Sequence, residues 1–207
     1  MSHRDQTLAK YDFPPGRGDD LGAFTPTDEQ CFDCWDALDM LPHIREHSLM
    51  VAGLATFLTE RAARRGLDVD LAETRAAALL HDIAKTYTIR HGGHHSQLGG
   101  AWTMDWTRNA RLAQGVVHHV HWPFELDLKR HFLPLVIIYA DKRVKHARVV
   151  PLRERFVDLL DRYGSTELIR ERIGVSNQQA KDIEVSLSQI LGIDLHAYPF
   201  DSRRLVE

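Results

Sequence analysis

His47, the adjacent pair His81-Asp82, His95, His119 and Asp141 are imidazoles and carboxylates spread along a chain of 207 residues. Such groups bind first-row divalent metals, and histidine also moves protons near neutral pH. The chain carries 13 histidines, most of them between His43 and His146. Four of them lie in LLHDIAKTYTIRHGGHHSQLGG, residues 79–100. There His81 and Asp82 stand among Leu79, Leu80 and Ile83, and a glycine-broken loop with further histidines follows. An aspartate in so oily a setting needs a partner, because burying an unpaired carboxylate costs several kcal/mol.

The elements that must position these groups are helices, and a helix tests burial by angle. Residues at i, i+3, i+4 and i+7 share a face, and the apolar ones mark the buried side. His47 lies in phase with Ile44, Val51, Leu54 and Leu58; His95 opens the row Leu98, Trp102, Trp106. Leu112 and Val116 lead to His119, and Ile137, Ile138 and Val144 surround Asp141. The run from Ala76 to Ala84 is apolar nearly all round, so His81 and Asp82 are both expected inside. Taken singly, each histidine reads as a hydrogen-bonded core residue, and Asp141 as a helix cap or a partner of Lys142 or Arg143. Taken together, two buried carboxylates and four histidines would destabilise a domain whose margin is roughly 5–15 kcal/mol. A divalent metal removes the conflict, since it supplies positive charge and accepts the lone pairs. These side chains are therefore expected to converge on metal within a helical bundle. His118 beside His119, and His94 beside His95, leave the register of two ligands open.

The pattern reads as all-α. Residues 1–24 are polar and rich in Pro and Gly, an irregular N-terminal extension. Thr25, with Pro26 at the first helical position, is expected to start a helix. A second helix runs from about Leu41 to Arg65 and stops at Gly66. Asp70 with Glu73 resembles a capping box opening a third helix that reaches about Thr86. Further helical patterns cover 95–106, 108–121, 131–146 and 151–163, and a last helix has Ser176 as its cap and Gly192 as its stop. FLPLVIIY is a β-branched run, but its continuation suits a helix better. The expected division is a helical domain over 25–163 and a C-terminal helical extension, 164–207, packed on it.

His47 in REHSLMVAGLA, His81-Asp82 in ALLHDIAK and Asp141 in IIYADK stand in the order H…HD…D, which resembles the HD superfamily of metal-dependent phosphohydrolases. His95 in HSQLGGAW and His119 in VVHHVH are similar to the extra histidines of its two-metal branches, most of all the bacterial symmetrical diadenosine tetraphosphate hydrolases. The resemblance implies an HD-domain bundle and a centre of two divalent ions: iron, manganese, cobalt or zinc. His47, His81, Asp82 and Asp141 would form one site, with Asp82 bridging to a second at His95 and His119. Two ions about 3.5–4 Å apart share and activate a water and clamp phosphoryl oxygens. The implied reaction is hydrolysis of a phosphoester or phosphoanhydride in a small, nucleotide-like substrate. The implied catalytic residues are Asp82 and Lys85, the lysine holding a substrate phosphate or serving as ion-pair partner to Asp82. The segment after His119, HWPFELDLKRH, departs from that branch and puts its substrate in question. No GYP signature follows the HD pair, which argues against the cyclic-di-GMP phosphodiesterase branch.

Composition narrows the alternatives. A net charge of −3 supports no broad nucleic-acid surface. No run approaches a membrane span or a signal peptide, so a cytoplasmic location is expected. Cys31 and Cys34 lack a second pair at zinc spacing and read as reduced thiols on one helix. Arg45 and His121 face the pocket or solvent equally well, and His43, His131 and His146 read as surface residues. Two competing readings stand beside the two-metal hydrolase: a one-metal enzyme, and a non-catalytic nucleotide-binding regulatory module.

Overall fold

The computed structural model describes residues 22–206, so the expectation for 1–24 falls almost wholly outside the described residues. The first helix, α1 (Asp28–Ala37), starts later than Thr25-Pro26 suggests. Thr27 is the cap: its hydroxyl accepts from the Gln30 amide, and the Gln30 side chain accepts from the Thr27 amide. That reciprocal box satisfies two N–H groups that a start at Pro26 would leave open. α2 (Pro42–Arg64) begins with proline in its first turn, as helix N-termini favour.

α3 (Leu71–Leu80) is capped by Asp70, whose side chain accepts from the Glu73 amide at 2.9 Å. The Glu73 carboxylate does not return to the cap. It accepts from Asn109 Nδ2 at 3.1 Å and pairs with Arg111 at 2.8 Å, tying α3 to the start of the helix over Ala110–His118. The expected third helix to Thr86 is in fact two: α3 ends at Leu80, residues 81–84 form a turn, and α4 (Lys85–His91) follows. The break falls on the His-Asp pair. α5 (His95–Thr107), α6 (Ala110–His118) and α7 (Phe132–Arg143) come next.

A short antiparallel hairpin, β1 (Val144–Lys145) and β2 (Arg148–Val149), pairs Val144 with Val149 and was not anticipated from the sequence. Then come α8 (Leu152–Tyr163) and α9 (Glu167–Leu191). α9 begins nine residues before Ser176, because Thr166 caps the Ile169 amide; it ends at Gly192, which takes φ 63°, as the glycine stop requires. The all-α expectation holds apart from the hairpin.

α3 and α7 form the centre. α3 packs on α1, α2, α6 and α7, while α7 packs on α2, α6, α8 and α9. Each of the 12 residues of α7 is buried, which is why FLPLVIIY is apolar all round without being a strand. Glycines let the helices close in. A Cβ on Gly100 would lie 2.8 Å from Val117 Cβ, and one on Gly99 3.2 Å from both Ile83 and Val116. These contacts bring α5 against α6 and the 81–84 turn. Among the described residues no helix is long and apolar enough to cross a membrane.

Candidate metal centre

Local structure first aims the rings. His81 is the C-cap of α3, and its Nδ1–H donates to Ala78 O at 2.7 Å. The ring takes a carbonyl of the last helical turn, and the backbone tightens to three-residue bonds, Ile83 N to Leu80 O and Lys85 N to Asp82 O. His119 repeats the device at the end of α6, donating Nδ1–H to Val116 O at 2.7 Å. His47, inside α2, donates Nδ1–H to the carbonyl of His146 at 3.1 Å. A carbonyl can only accept, so all three rings carry their proton on Nδ1 and expose a lone pair on Nε2.

Those lone pairs point at carboxylate oxygens. His47 Nε2 lies 3.0 Å from Asp141 Oδ1, with His81 Nε2 4.0 Å from the same atom. His81 Nε2 also stands 3.4 Å from Asp82 Oδ2. On the other side, His95 Nε2 and His119 Nε2 approach Asp82 Oδ1 at 3.4 and 3.6 Å and each other at 3.1 Å. Each aspartate is held from behind by a lysine: Lys85 Nζ donates to Asp82 Oδ2 and Lys142 Nζ to Asp141 Oδ2, both at 2.6 Å. The donor atoms gather into two groups, His47-His81-Asp82 and Asp82-His95-His119, each within 4.8 Å, with Asp82 common to both.

Two atoms test whether a cation fits. His81 Nε2 and Asp82 Oδ1 are buried with no hydrogen-bond partner, and their residues are 0% and 1% exposed. Such orphans cost about 1–3 kcal/mol each, more when charged. Nitrogen and carboxylate atoms converging on shared space suit a divalent cation, which would satisfy all of them at once.

The field agrees. Burial by itself would raise the Asp82 pKa, but the Lys85 ammonium and then His81 hold it well below the usual carboxylate range. Asp141 is likewise held well below that range, by Lys142 and then His47, against the opposing effect of burial. Burial pushes His47 and His119 down and His95 to about 4. Burial works against a proton on His81 too, yet the Asp82 carboxylate outweighs it and raises that pKa.

The structure brings His47, His81, Asp82, His95, His119 and Asp141 together. It sends their neighbours elsewhere: His94 is exposed, and His118 packs on Trp122 with ring centroids 5.2 Å apart. Arg45 braces α1 through Met40 O and Trp35 O. His121 is exposed away from the centre, and His43 and His146 rim the cleft above it. That cleft, of about 120 Å³, has Asp82, His47 and Lys85 on its floor and Arg155, Arg162 and Tyr163 on one wall. The wall residues were missed in the sequence; their signal is the seven-residue spacing of Arg155 and Arg162, which puts both on one face of α8. The His146 carbonyl, being backbone, has no sequence signal.

Residues 44–165 match the HD domain. Similar curated proteins are two named Ribonuclease Y, from two strains of Thermus thermophilus, each 32% identical over 127 residues. The aligned region is 61% of this chain and 20% of each relative, so the chain spans about a fifth of their length. No solved structure matches. HD domains bind divalent metals and hydrolyse phosphate bonds, and with more than half its length inside the match this chain belongs to the HD domain family.

Proposed function

We propose that the protein is a metal-dependent phosphohydrolase acting on a phosphoester or phosphoanhydride of a small, nucleotide-like substrate. His47, His81, Asp82 and Asp141 would hold one cation, and Asp82, His95 and His119 would hold a second. The observation that carries this reading is Asp82 itself, buried, with an unpartnered oxygen facing two imidazole nitrogens and a place in both donor groups. A mixed imidazole and carboxylate set suits iron, manganese, cobalt or zinc. When bound, such ions supply an activated water and positive charge for the phosphoryl oxygens.

The chain's own residues do the rest. The backbone carbonyls of Ala78, Val116 and His146 orient three rings, so their lone pairs are preorganised. Lys85 orients Asp82 and, lining the cleft, adds positive charge where a substrate phosphate would lie. The cleft volume of about 120 Å³ is far below the roughly 300–1,000 Å³ of pockets that enclose drug-sized ligands. A phosphate fits; a nucleoside stays outside.

Within this class, His95 and His119 support the branch that cleaves dinucleoside polyphosphates symmetrically. The name of the Thermus relatives points instead to RNA. The deciding experiment assays purified protein with Mn²⁺, Co²⁺, Fe²⁺ or Zn²⁺ against dinucleoside polyphosphates, mononucleotides and a short RNA, alongside His81→Ala and Asp82→Ala. Turnover of a small nucleotide that both variants lose is the expected result, and two nucleoside diphosphates from a dinucleoside tetraphosphate identify the branch. Metal-independent activity, or activity untouched by either substitution, overturns the reading. Tight nucleotide binding without turnover in any metal favours the regulatory module.

A further inference from the structure

We propose that α8 supplies an anion subsite beside the metal centre, in which Arg155 and Arg162 hold a phosphate group next to the one that reacts. The inference rests on reading the cleft as a phosphohydrolase site, and it assigns α8 the recognition of a second phosphate. Arg155 is buried, 8% exposed, and lines the cleft that opens on His47 and Asp82. Among the described residues only its Nη1 has a hydrogen-bond partner, Asp158 Oδ2 at 3.1 Å; Nε is buried without one. A buried, half-satisfied guanidinium costs several kcal/mol. Its pair with Asp158, three residues on, engages Nη1 alone and leaves the rest of the fork open. A ligand that completes the fork would satisfy the orphaned Nε.

The charge balance points the same way. Asp158 is shared by three cations: Arg155, Arg162 at 3.8 Å and Lys145 at 3.8 Å, the last also 3.7 Å from Glu154. One carboxylate cannot neutralise the two arginines, which stand two turns apart on one face of α8. Arg162 is exposed, lines the same cleft and packs against the Tyr163 ring, its guanidinium carbon 5.2 Å from the centroid. The volume of about 120 Å³, well below that of pockets that enclose drug-sized ligands, suits phosphate groups better than a base. The surplus cations select a substrate bearing adjoining phosphates over a simple monoester.

The test has two arms. In the first, inorganic pyrophosphate is titrated calorimetrically into metal-free protein: wild type, Arg162→Ala, Arg155→Gln, and Arg153→Ala as an exposed control on α8 outside the cleft. Each cleft substitution is expected to weaken binding about tenfold, the loss of one charge-assisted contact, and the control to leave it unchanged. Should Arg155→Gln fail to fold, Arg162→Ala at its exposed position decides alone. Equal affinity in wild type and the cleft variants overturns the subsite. The second arm compares KM and kcat on a nucleoside triphosphate and on p-nitrophenyl phosphate. A raised KM confined to the triphosphate supports the subsite; an equal rise on both overturns it. If wild type hydrolyses nothing, the enzymatic reading fails while the titration still judges the arginines.

Discussion

His95 Nε2 and His119 Nε2 face each other at 3.1 Å, one from the first turn of α5 and the other from the end of α6. The ring of His119 has already given its Nδ1 proton to Val116 O, so at most one proton lies between the two nitrogens. Asp82 Oδ1 stands within 3.6 Å of both. Three lone-pair donors thus surround one point, and the close approach of α5 to α6 at Gly99 and Gly100 puts them there.

Asp82 is the residue common to both donor groups, so its loss is expected to empty both. Asp82→Asn should lower hydrolysis about 100-fold or more, the scale of losing a principal electrostatic group. Elemental analysis should find the variant with less than one ion per chain, while the double variant His95→Ala/His119→Ala retains one. A full metal complement in Asp82→Asn would show that the carboxylate bridges nothing.

Gly100→Ala tests the helix contact behind His95. The added Cβ meets Val117 Cβ at 2.8 Å, an overlap that neither backbone-anchored atom relieves cheaply. Overpacking costs about 1–3 kcal/mol, against about 1 kcal/mol gained in helix propensity. Net destabilisation of up to about 2 kcal/mol is expected in urea melts, together with weaker metal binding at the His95 side. A stabilised variant would mean that the two helices separate freely.

Acid should destabilise the metal-free protein in part through His95. Its folded pKa, about 4, lies below the ordinary 6.5, so between those values the unfolded chain binds the extra proton. Stability from this group therefore rises with pH across about 4 to 6.5 and falls on acidification. His81 acts oppositely, its raised pKa contributing stability that is full below 6.5 and lost at higher pH. Denaturation series in chelator should give His95→Gln a flatter slope between pH 4 and 6.5 than wild type; an identical slope would exclude the group.

α9 is expected to belong to the same folding unit as α7, making 164–207 part of one domain with the HD helices. Arg143 Nη1 donates to Glu184 Oε2 at 3.0 Å and to Leu195 O at 2.9 Å, and Tyr139 O–H donates to the same carboxylate at 2.8 Å. Glu184→Leu leaves the Arg143 guanidinium buried without its carboxylate partner, a loss of about 3–5 kcal/mol. One cooperative unfolding transition at a lower denaturant midpoint is expected. Two separate transitions would make α9 an independent appendage.

Metal itself should stabilise the fold by mass action, about 2.7 kcal/mol at a free concentration one hundred times Kd. Thermal melts with and without Mn²⁺ measure it, and Asp82→Asn, which removes the residue common to both donor groups, should abolish the gain.

The all-α character, most of the helices and the inward faces that carry the six candidate ligands were legible in the sequence, because periodicity and capping act over a few neighbouring residues. Ile44, Val51 and Leu54 place His47 on a buried face whatever lies opposite. Only the tertiary structure decided that His119 and not His118 turns toward Asp82, that the helix breaks at His81, and that α8 lends arginines to the cleft. Those outcomes depend on partners far apart in the chain: His47 meets Asp141 across 94 positions, and its ring is oriented by a backbone carbonyl that has no residue-type signature. Local propensity specifies a face, while convergence, tautomer and field arise only when separate helices pack.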